Sequence, residues 1–156
     1  MRKHFVLLLA LVLCIGLLSG CSAKQTSYSH QELTIRLPET YLDLSQESYA
    51  KDWDFLYGLA PVTVSGLRDE KTRFEAFDLD LESYGKLMLE VNGVDSAITE
   101  EKGIPTFTYE AGGYTYVVTL WETEDAYWTV QAYCPTEDFA SAKDQMWEIL
   151  TSVKLS

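Results

Sequence analysis

Three neighbouring segments that are dense in aromatic and β-branched residues constrain the fold most strongly. They span 106–110, 114–122 and 127–134, and links of three and four residues separate them. Such side chains favour strands, and strands joined by links this short pair as antiparallel neighbours. The sequence therefore predicts a three-stranded antiparallel meander between Ile104 and Pro135.

Two amphipathic stretches predict helices that pack on this sheet. In the first, Asp80 suits a helix N-cap, Asn92 and Gly93 suit a C-terminal stop, and apolar residues recur between them at helical spacing. The second stretch, 137–152, carries an apolar stripe and follows Thr136, which suits its cap.

The rest of the chain predicts shorter elements. These are strands at 33–37, 41–44 and 61–67, a charged break at 68–71, a short helix near 48–56 and a short extended piece at 74–77. The predicted fold class is therefore α+β, an antiparallel β-sheet with flanking helices.

The N-terminal segment has the order of a bacterial export signal. Arg2 and Lys3 precede an apolar run of 14 residues, Phe5–Leu18. This run is shorter than the ~20 residues of a membrane-spanning helix and fits the ~7–15-residue core of a signal peptide. The following Leu18-Ser19-Gly20-Cys21 resembles the lipobox of bacterial lipoproteins.

That resemblance implies a signal peptide over residues 1–20, cleavage between Gly20 and Cys21, and acyl chains such as palmitate attached at Cys21. The lipid makes the membrane a partner and places the protein on the extracytoplasmic face of the cell membrane. An ordinary secretory signal and an uncleaved membrane anchor are the alternatives.

Two further regions follow the signal. Residues 21–31 are mostly polar and lack apolar periodicity, so we expect a lipidated cysteine and a flexible tether that lifts the domain by ~30 Å. Residues 32–156 have the length of a single domain and show no internal repeat.

The net charge of the chain limits the classes of partner that it is expected to bind. The formal net charge is −12, and removal of Arg2 and Lys3 with the signal takes it to −14. Phosphates repel such a chain, so nucleic acid is not an expected partner. The acidity suits solubility outside the cytoplasm or a cationic partner.

The distribution of histidine and cysteine limits the chemistry. His4 lies in the signal and His30 in the predicted tether, so residues 32–156 contain no histidine. Ser–His–Asp, Cys–His and histidine-based zinc sites are excluded there unless the tether folds back. Cys134 ends a predicted strand and is expected to be a buried thiol. No catalytic residue and no cofactor are predicted.

One acidic run is the candidate for a metal site. Asp78, Asp80 and Glu82 alternate along the chain, and in an extended segment they share one face that a Ca²⁺ or Mg²⁺ ion can approach. The favoured alternative is a solvated helix N-terminus, where acidic residues are stabilising. No metal is therefore predicted.

The last strand of the meander divides into two faces. Trp128, Val130, Ala132 and Cys134 lie on the expected core face, and Tyr127, Thr129, Gln131 and Tyr133 lie on the other. On the second face, Tyr127, Gln131 and Tyr133 are the candidate contact residues for a partner. Structural packing is the favoured alternative, and such a face can equally lie beneath a helix or be an exposed sheet face that needs no ligand.

Several phrases of the chain resemble the PsbP-like lipoproteins of Gram-positive bacteria. The phrases are Leu37-Pro38-Glu39, the stretch 64–71 (VSGLRDEK), Tyr84 with its helix, Thr115-Tyr116-Val117, the stretch 125–131 (DAYWTVQ) and the closing helix with Trp147. The resemblance covers 32–156. It implies a sandwich of antiparallel sheet and flanking helices, a fold shared with an extrinsic photosystem II subunit and a Ran-binding nuclear protein.

No active site is implied by this resemblance, and no functional residue is carried over. The leading hypothesis is a lipid-anchored, non-catalytic domain that binds or supports an unknown protein of the cell envelope. A small-ligand or cation sensor is the first alternative, and a hydrolase that uses carboxylates is the last.

Overall fold

A computed structural model describes residues 24–156 of the protein. The predicted signal peptide, the cleavage site between Gly20 and Cys21, and the predicted lipidation at Cys21 lie outside the described residues. Within 24–156, no helix has both the length and the apolar character needed to cross a bilayer.

A seven-stranded antiparallel sheet forms the centre of the domain. Its strands are β3 (Leu42–Asp43), β4 (Phe55–Leu59), β5 (Val62–Glu70), β6 (Thr99–Glu101), β7 (Ile104–Ala111), β8 (Tyr114–Glu122) and β9 (Ala126–Pro135). The strand order is β3-β4-β5-β9-β8-β7-β6. The predicted meander is confirmed as β7-β8-β9, with β5 on the other side of β9.

A small sheet and two helices complete the domain. The small sheet has the order β1-β2-β10, from β1 (Gln25–His30), β2 (Leu33–Pro38) and β10 (Lys154–Leu155), and the helices are α1 (Leu81–Val91) and α2 (Phe139–Leu150). Short 3₁₀ turns span Ser48–Ala50, Lys71–Phe74 and Thr136–Asp138.

One face of the large sheet, the inner face, packs against α2 and β2. Trp128, Val130 and Ala132 are fully buried there together with Cys134, which confirms the predicted core face of β9. The Cys134 Sγ lies 3.8 Å from the Met146 Sδ of α2. Burial raises the pKa of the Cys134 thiol, so the thiol stays protonated and inert, as predicted.

Helix α1 covers part of the opposite, outer face. Asp80 caps it as predicted, because the Ser83 N–H donates to the Asp80 Oδ1 at 2.8 Å. The helix buries Tyr84, whose ring stacks on Tyr127 of β9 with centroids 4.4 Å apart. Leu89 and Phe107 belong to the same outer core. Beyond the C-terminal end of α1, the outer face borders a cavity.

The predicted flexible tether is wrong for Gln25–His30, which is strand β1 and pairs with β2 along its whole length. Only alternate residues contact the core. The Tyr28 ring packs 4.8 Å from that of Tyr57, and the His30 ring stacks 4.5 Å from that of Phe55. An edge strand that packs only two rings on its neighbour does not need a run of apolar residues. The polar composition of β1 therefore could not be distinguished from that of a flexible tether. The folded part therefore begins before residue 32 and includes a histidine.

Three other local predictions are also wrong. The expected helix near 48–56 is a 3₁₀ turn followed by β4, and the expected extended piece at 74–77 follows the 3₁₀ turn Lys71–Phe74. Three residues of the expected break at 68–71 belong to β5, which continues to Glu70 because it pairs with β9 as far as Ala126, and Lys71 begins the 3₁₀ turn. Over residues 24–156, the fold consists mostly of antiparallel sheet with two helices.

Candidate binding site on the outer face of the sheet

The outer face is set by the register of four strands. On this face Gln131 of β9 lies opposite Ser65 of β5 and Val118 of β8. One residue pair further along β9, Tyr133 lies opposite Thr63 and Tyr116. Directly opposed residues of paired strands have side chains in contact range, so each row forms one continuous strip across the sheet.

A cavity of about 300 Å³ opens on this face beside the C-terminal end of α1. The α1 side of its wall comes from the last turn of the helix and the residues after it, and the loop before β4 contributes Trp53. None of the eleven described residues that line the cavity is charged. They are the aromatic residues Trp53, Phe107, Tyr109 and Tyr116, the aliphatic residues Leu67, Met88, Val94 and Val118, and the polar residues Asn92, Thr129 and Gln131.

Gln131 places a carboxamide in the lining of this cavity. The residue is 6% exposed, and its amide is not among the fully buried side-chain groups without a hydrogen-bond partner, which between residues 24 and 156 are the Ser65 hydroxyl and the Trp147 indole N–H. Thr129, the neighbouring lining residue, is bonded through its hydroxyl to the Tyr84 hydroxyl at 3.2 Å. The Gln131 amide gives the mostly apolar cavity a polar group that a ligand can bind.

A buried polar group without a partner lies next to Gln131. The Ser65 hydroxyl is fully buried and has no hydrogen-bond partner within the described part of the chain. Ser65 and Gln131 are directly paired across β5 and β9. Burial of an unpaired polar group costs roughly 1–3 kcal/mol. The Ser65 hydroxyl therefore makes the folded state less stable than an apolar side chain of the same size would.

Three stacked tyrosines extend the cavity towards the open surface. This tyrosine row consists of Tyr109, Tyr116 and Tyr133, with ring centroids 4.7 and 4.9 Å apart. Tyr114, which is 42% exposed, meets the Tyr133 ring edge-on. Burial raises the pKa of all three phenols of the row, which are therefore uncharged at neutral pH. The row offers flat, neutral aromatic surface to a partner.

The predicted contact residues have different environments. Tyr127 is 2% exposed beneath α1, where it stacks on Tyr84 and its hydroxyl donates to the Leu79 carbonyl. Gln131 lies in the cavity and Tyr133 in the tyrosine row. The packing alternative therefore describes Tyr127, whereas the structure brings Gln131 and Tyr133 to one open region.

Sequence reasoning missed several lining residues. Tyr109 and Tyr116 belong to the predicted meander, and their positions could have been obtained from strand alternation once the register of β7 and β8 was known. Trp53 and Asn92 carried no such signal, because a loop and the end of a helix bring them to the cavity.

The acidic run does not form the extended face that a metal site would need. Asp78 lies in a loop with φ of 47°, Asp80 caps α1, and Glu82 pairs with Lys86 at 2.6 Å. Between residues 24 and 156, the structure has no group of three or more His, Cys, Asp or Glu side chains placed to hold a metal ion.

A separate polar cluster around Glu32 joins the small sheet to the large one. The Glu32 Oε1 accepts hydrogen bonds from Arg68 Nε at 2.9 Å, Trp128 Nε1 at 3.1 Å and Thr123 Oγ1 at 3.3 Å. Burial by itself raises the pKa of Glu32, but hydrogen bonds from its own backbone, Arg68 and Trp128 lower the pKa below its ordinary value. An ionised carboxylate held by three donors stabilises the fold and is a poor proton donor.

No known family model matches the chain, and no curated protein resembles it in sequence. Solved structures do resemble it. CyanoP, the cyanobacterial PsbP of Synechocystis sp. PCC 6803, matches with a TM-score of 0.60 at 11% identity, over 88% of this chain and 96% of that protein. A Mog1 mutant matches with a TM-score of 0.51 at 12% identity, over 85% and 95%.

A protein from Bacteroides thetaiotaomicron VPI-5482 matches with a TM-score of 0.51 at 13% identity, over 86% of this chain but 48% of that one. Identities this low establish the fold alone. The chain has a PsbP-like fold, which confirms the fold that the sequence resemblance implied, although residues 24–156 are mostly antiparallel sheet instead of a balanced α+β sandwich.

Proposed function

We propose that this protein is a lipid-anchored, extracytoplasmic domain that binds a protein of the cell envelope without catalysing a reaction. The observation that carries the proposal is the uncharged, aromatic-walled cavity with the carboxamide of Gln131 in its lining. Concave, mostly apolar sites with a few polar groups are typical of binding sites.

The chemistry of the cavity supports binding rather than catalysis. General acid–base catalysis needs a titratable group whose pKa lies near the working pH. The side chains known to line the cavity include no acid, histidine or lysine, and burial raises the pKa of its tyrosines, Tyr109 and Tyr116, further from neutrality. His30 packs against Phe55, which belongs to the inner core, and Glu32 is occupied by three donors. A carboxylate-based hydrolase would need two facing acids in the cavity.

The sequence supports the lipid anchor, and the position of β1 limits the distance between the anchor and the folded domain. Three residues separate Cys21 from the first residue of β1, Gln25. Four residue steps span at most ~14 Å, so a lipidated Cys21 holds the domain close to the bilayer instead of ~30 Å above it. The end of the β1–β2 hairpin that carries Lys24 and Glu39, which form an ion pair at 2.7 Å, then faces the lipid.

Mass spectrometry of the protein isolated from bacterial membranes tests the anchor. The expected N-terminus is a diacylglyceryl-modified Cys21 without residues 1–20, and the Cys21→Ser variant should leave the membrane fraction. An unmodified Cys21 or a retained Met1–Gly20 segment would overturn this part of the proposal.

Site-specific photocrosslinking in intact cells tests the binding. A photoreactive phenylalanine replaces Tyr109 in the tyrosine row, and the matched control replaces Lys143, which is exposed on α2 away from the outer face. A discrete protein adduct that forms at position 109 and not at 143, and that disappears in the Gln131→Lys background, supports the proposal. Equal adducts at both positions, or none at either, contradict it.

A further inference from the structure

The cavity has the size and walls for a single ring system. Its volume of about 300 Å³ lies at the small end of ligand sites, which span ~300–1,000 Å³. Trp53, Phe107, Tyr109 and Tyr116 contribute aromatic surface to its lining. Aromatic rings associate favourably in stacked and edge-to-face arrangements, so a flat ring is the group that these walls favour.

The charges around the cavity exclude an anion. No charged side chain is among the residues that line it in the described structure. The adjoining surface depression, which shares Asn92, Val94 and Tyr109 with it, carries Asp95 and Glu110. With a net charge of −12 for the whole chain, an anionic group would be repelled at the rim and unpaired inside. An uncharged ring meets neither penalty.

The side chain of Gln131 defines what must accompany the ring. A carboxamide offers one acceptor oxygen and two donor hydrogens side by side. A group that presents a donor and an acceptor together, such as a peptide amide, satisfies both sides of it. The ring and the amide occur together in every aromatic residue of a protein, because the peptide unit lies next to the ring.

Resting on the proposed function, we propose that the cavity binds one uncharged aromatic residue of a partner protein, with its ring among the aromatic walls and its peptide amide hydrogen-bonded to Gln131. The tyrosine row then lies beneath the partner's neighbouring residues. The cavity gives the contact its specificity because a ring that brings no hydrogen-bonding group would bury the Gln131 amide without a partner.

The test is a titration of the ¹⁵N-labelled full-length protein in detergent micelles, followed by NMR. The probes are N-acetyltryptophanamide, which is uncharged, N-acetyltryptophan, which differs by a carboxylate, and toluene, a ring without an amide. N-acetyltryptophanamide should bind with a Kd on the order of 1 mM, as expected for one residue of a larger partner. It should shift the amide signals of Phe107, Val118 and Gln131 and leave those of α2 unchanged.

Two variants assign the contact. Gln131→Leu should weaken binding of N-acetyltryptophanamide by about fivefold or more. The control Tyr114→Ala removes an exposed ring outside the cavity and should leave the Kd unchanged. N-acetyltryptophan should bind at least about tenfold more weakly than the amide.

The outcomes separate this inference from the proposed function. Equal binding of amide and carboxylate, an unchanged Kd in Gln131→Leu, or binding of toluene alone overturns the inference. If no probe binds but the crosslink at position 109 forms in cells, the inference fails and the proposed function stands. If both experiments are negative, both fail.

Discussion

Replacing Glu32 by alanine removes the carboxylate that joins the small sheet to the large one. Its Oε1 accepts hydrogen bonds from Arg68, Trp128 and Thr123 at 2.9, 3.1 and 3.3 Å. Arg68 and Glu32 are mostly buried, with side-chain exposures of 13% and 19%. The substitution therefore leaves several donors without an acceptor at the junction between two sheets.

The size of the effect follows from the burial of these donors. Trp128 is fully buried, so its indole N–H finds no water when Glu32 is removed. Loss of one partner of a buried charged pair costs about 3–5 kcal/mol, and the partial exposure of this pair favours the lower end, about 3 kcal/mol. For a domain of this length, 1 kcal/mol corresponds to about 3–5 °C in Tm. We therefore expect a decrease in Tm of about 10 °C.

The pH dependence of the folding stability provides a second measurement of the role of Glu32. Burial raises the pKa of Glu32, and the hydrogen bonds outweigh burial, so the folded-state pKa lies below the ordinary value of 4.5. A lowered pKa means that the stabilisation is complete above the ordinary value and is lost as the pH falls through the folded-state pKa. The Glu32→Gln variant, which keeps an oxygen acceptor but has no charge, should therefore lose less stability on acidification.

Thermal unfolding followed by circular dichroism between about pH 3 and 7 measures both effects. The matched control is Glu39→Ala in the same hairpin, whose ion pair with Lys24 is exposed and should be worth less than about 1 kcal/mol. A Tm of Glu32→Ala within about 2 °C of the wild type, or an unchanged acid dependence of Glu32→Gln, would refute the assignment of Glu32 as a structural link.

Gly66→Ala should lower the free energy of unfolding by about 1–3 kcal/mol in chemical denaturation, because an added Cβ would overlap the buried ring of Phe55; unchanged stability would show that the ring can move. Burial lowers the pKa of His30 despite the nearby Asp43 and Asp54, so the native state should lose stability as the pH falls below the ordinary value of 6.5. Calorimetry should find this loss absent in His30→Phe, and an equal loss in the variant would contradict it. Cys134 should resist thiol reagents until the protein is unfolded; rapid labelling of the native protein, located by peptide mass spectrometry, would contradict its burial.

The strands of the meander were predictable because their own sequences determine them. Aromatic and β-branched residues alternate through β8 and β9, and short links leave one pairing. Helix α1 was predictable for a similar reason, since Asp80 and the apolar spacing are local signals.

The edge strands were not predictable, because their neighbours in space determine them. β1 is polar and was expected to be a tether, yet it pairs with β2 and packs two rings on the large sheet. β6 and β10 are short and lie at sheet edges, so little in their sequences distinguishes them from loops.

Part of the candidate site, the side chains that β9 contributes, could be predicted from the sequence. Alternation along β9 placed Gln131 and Tyr133 on one face, and the structure brings both to an open region. Alternation also placed Tyr127 there, but the position of α1 is a long-range result of packing and buries that ring. The cavity itself depends on Trp53, which comes from a loop with no pattern of its own.

The thermal stability of Gln131→Leu distinguishes a role of Gln131 in binding from a role in folding. Leucine has a similar size and replaces an amide that lines the cavity, so the Tm should stay the same or rise by a few degrees. The matched control is Gln145→Leu, because the Gln145 amide donates to the buried Tyr41 hydroxyl at 3.1 Å, and its loss should cost about 1 kcal/mol. A decrease in Tm for Gln131→Leu as large as that of Gln145→Leu would contradict the account.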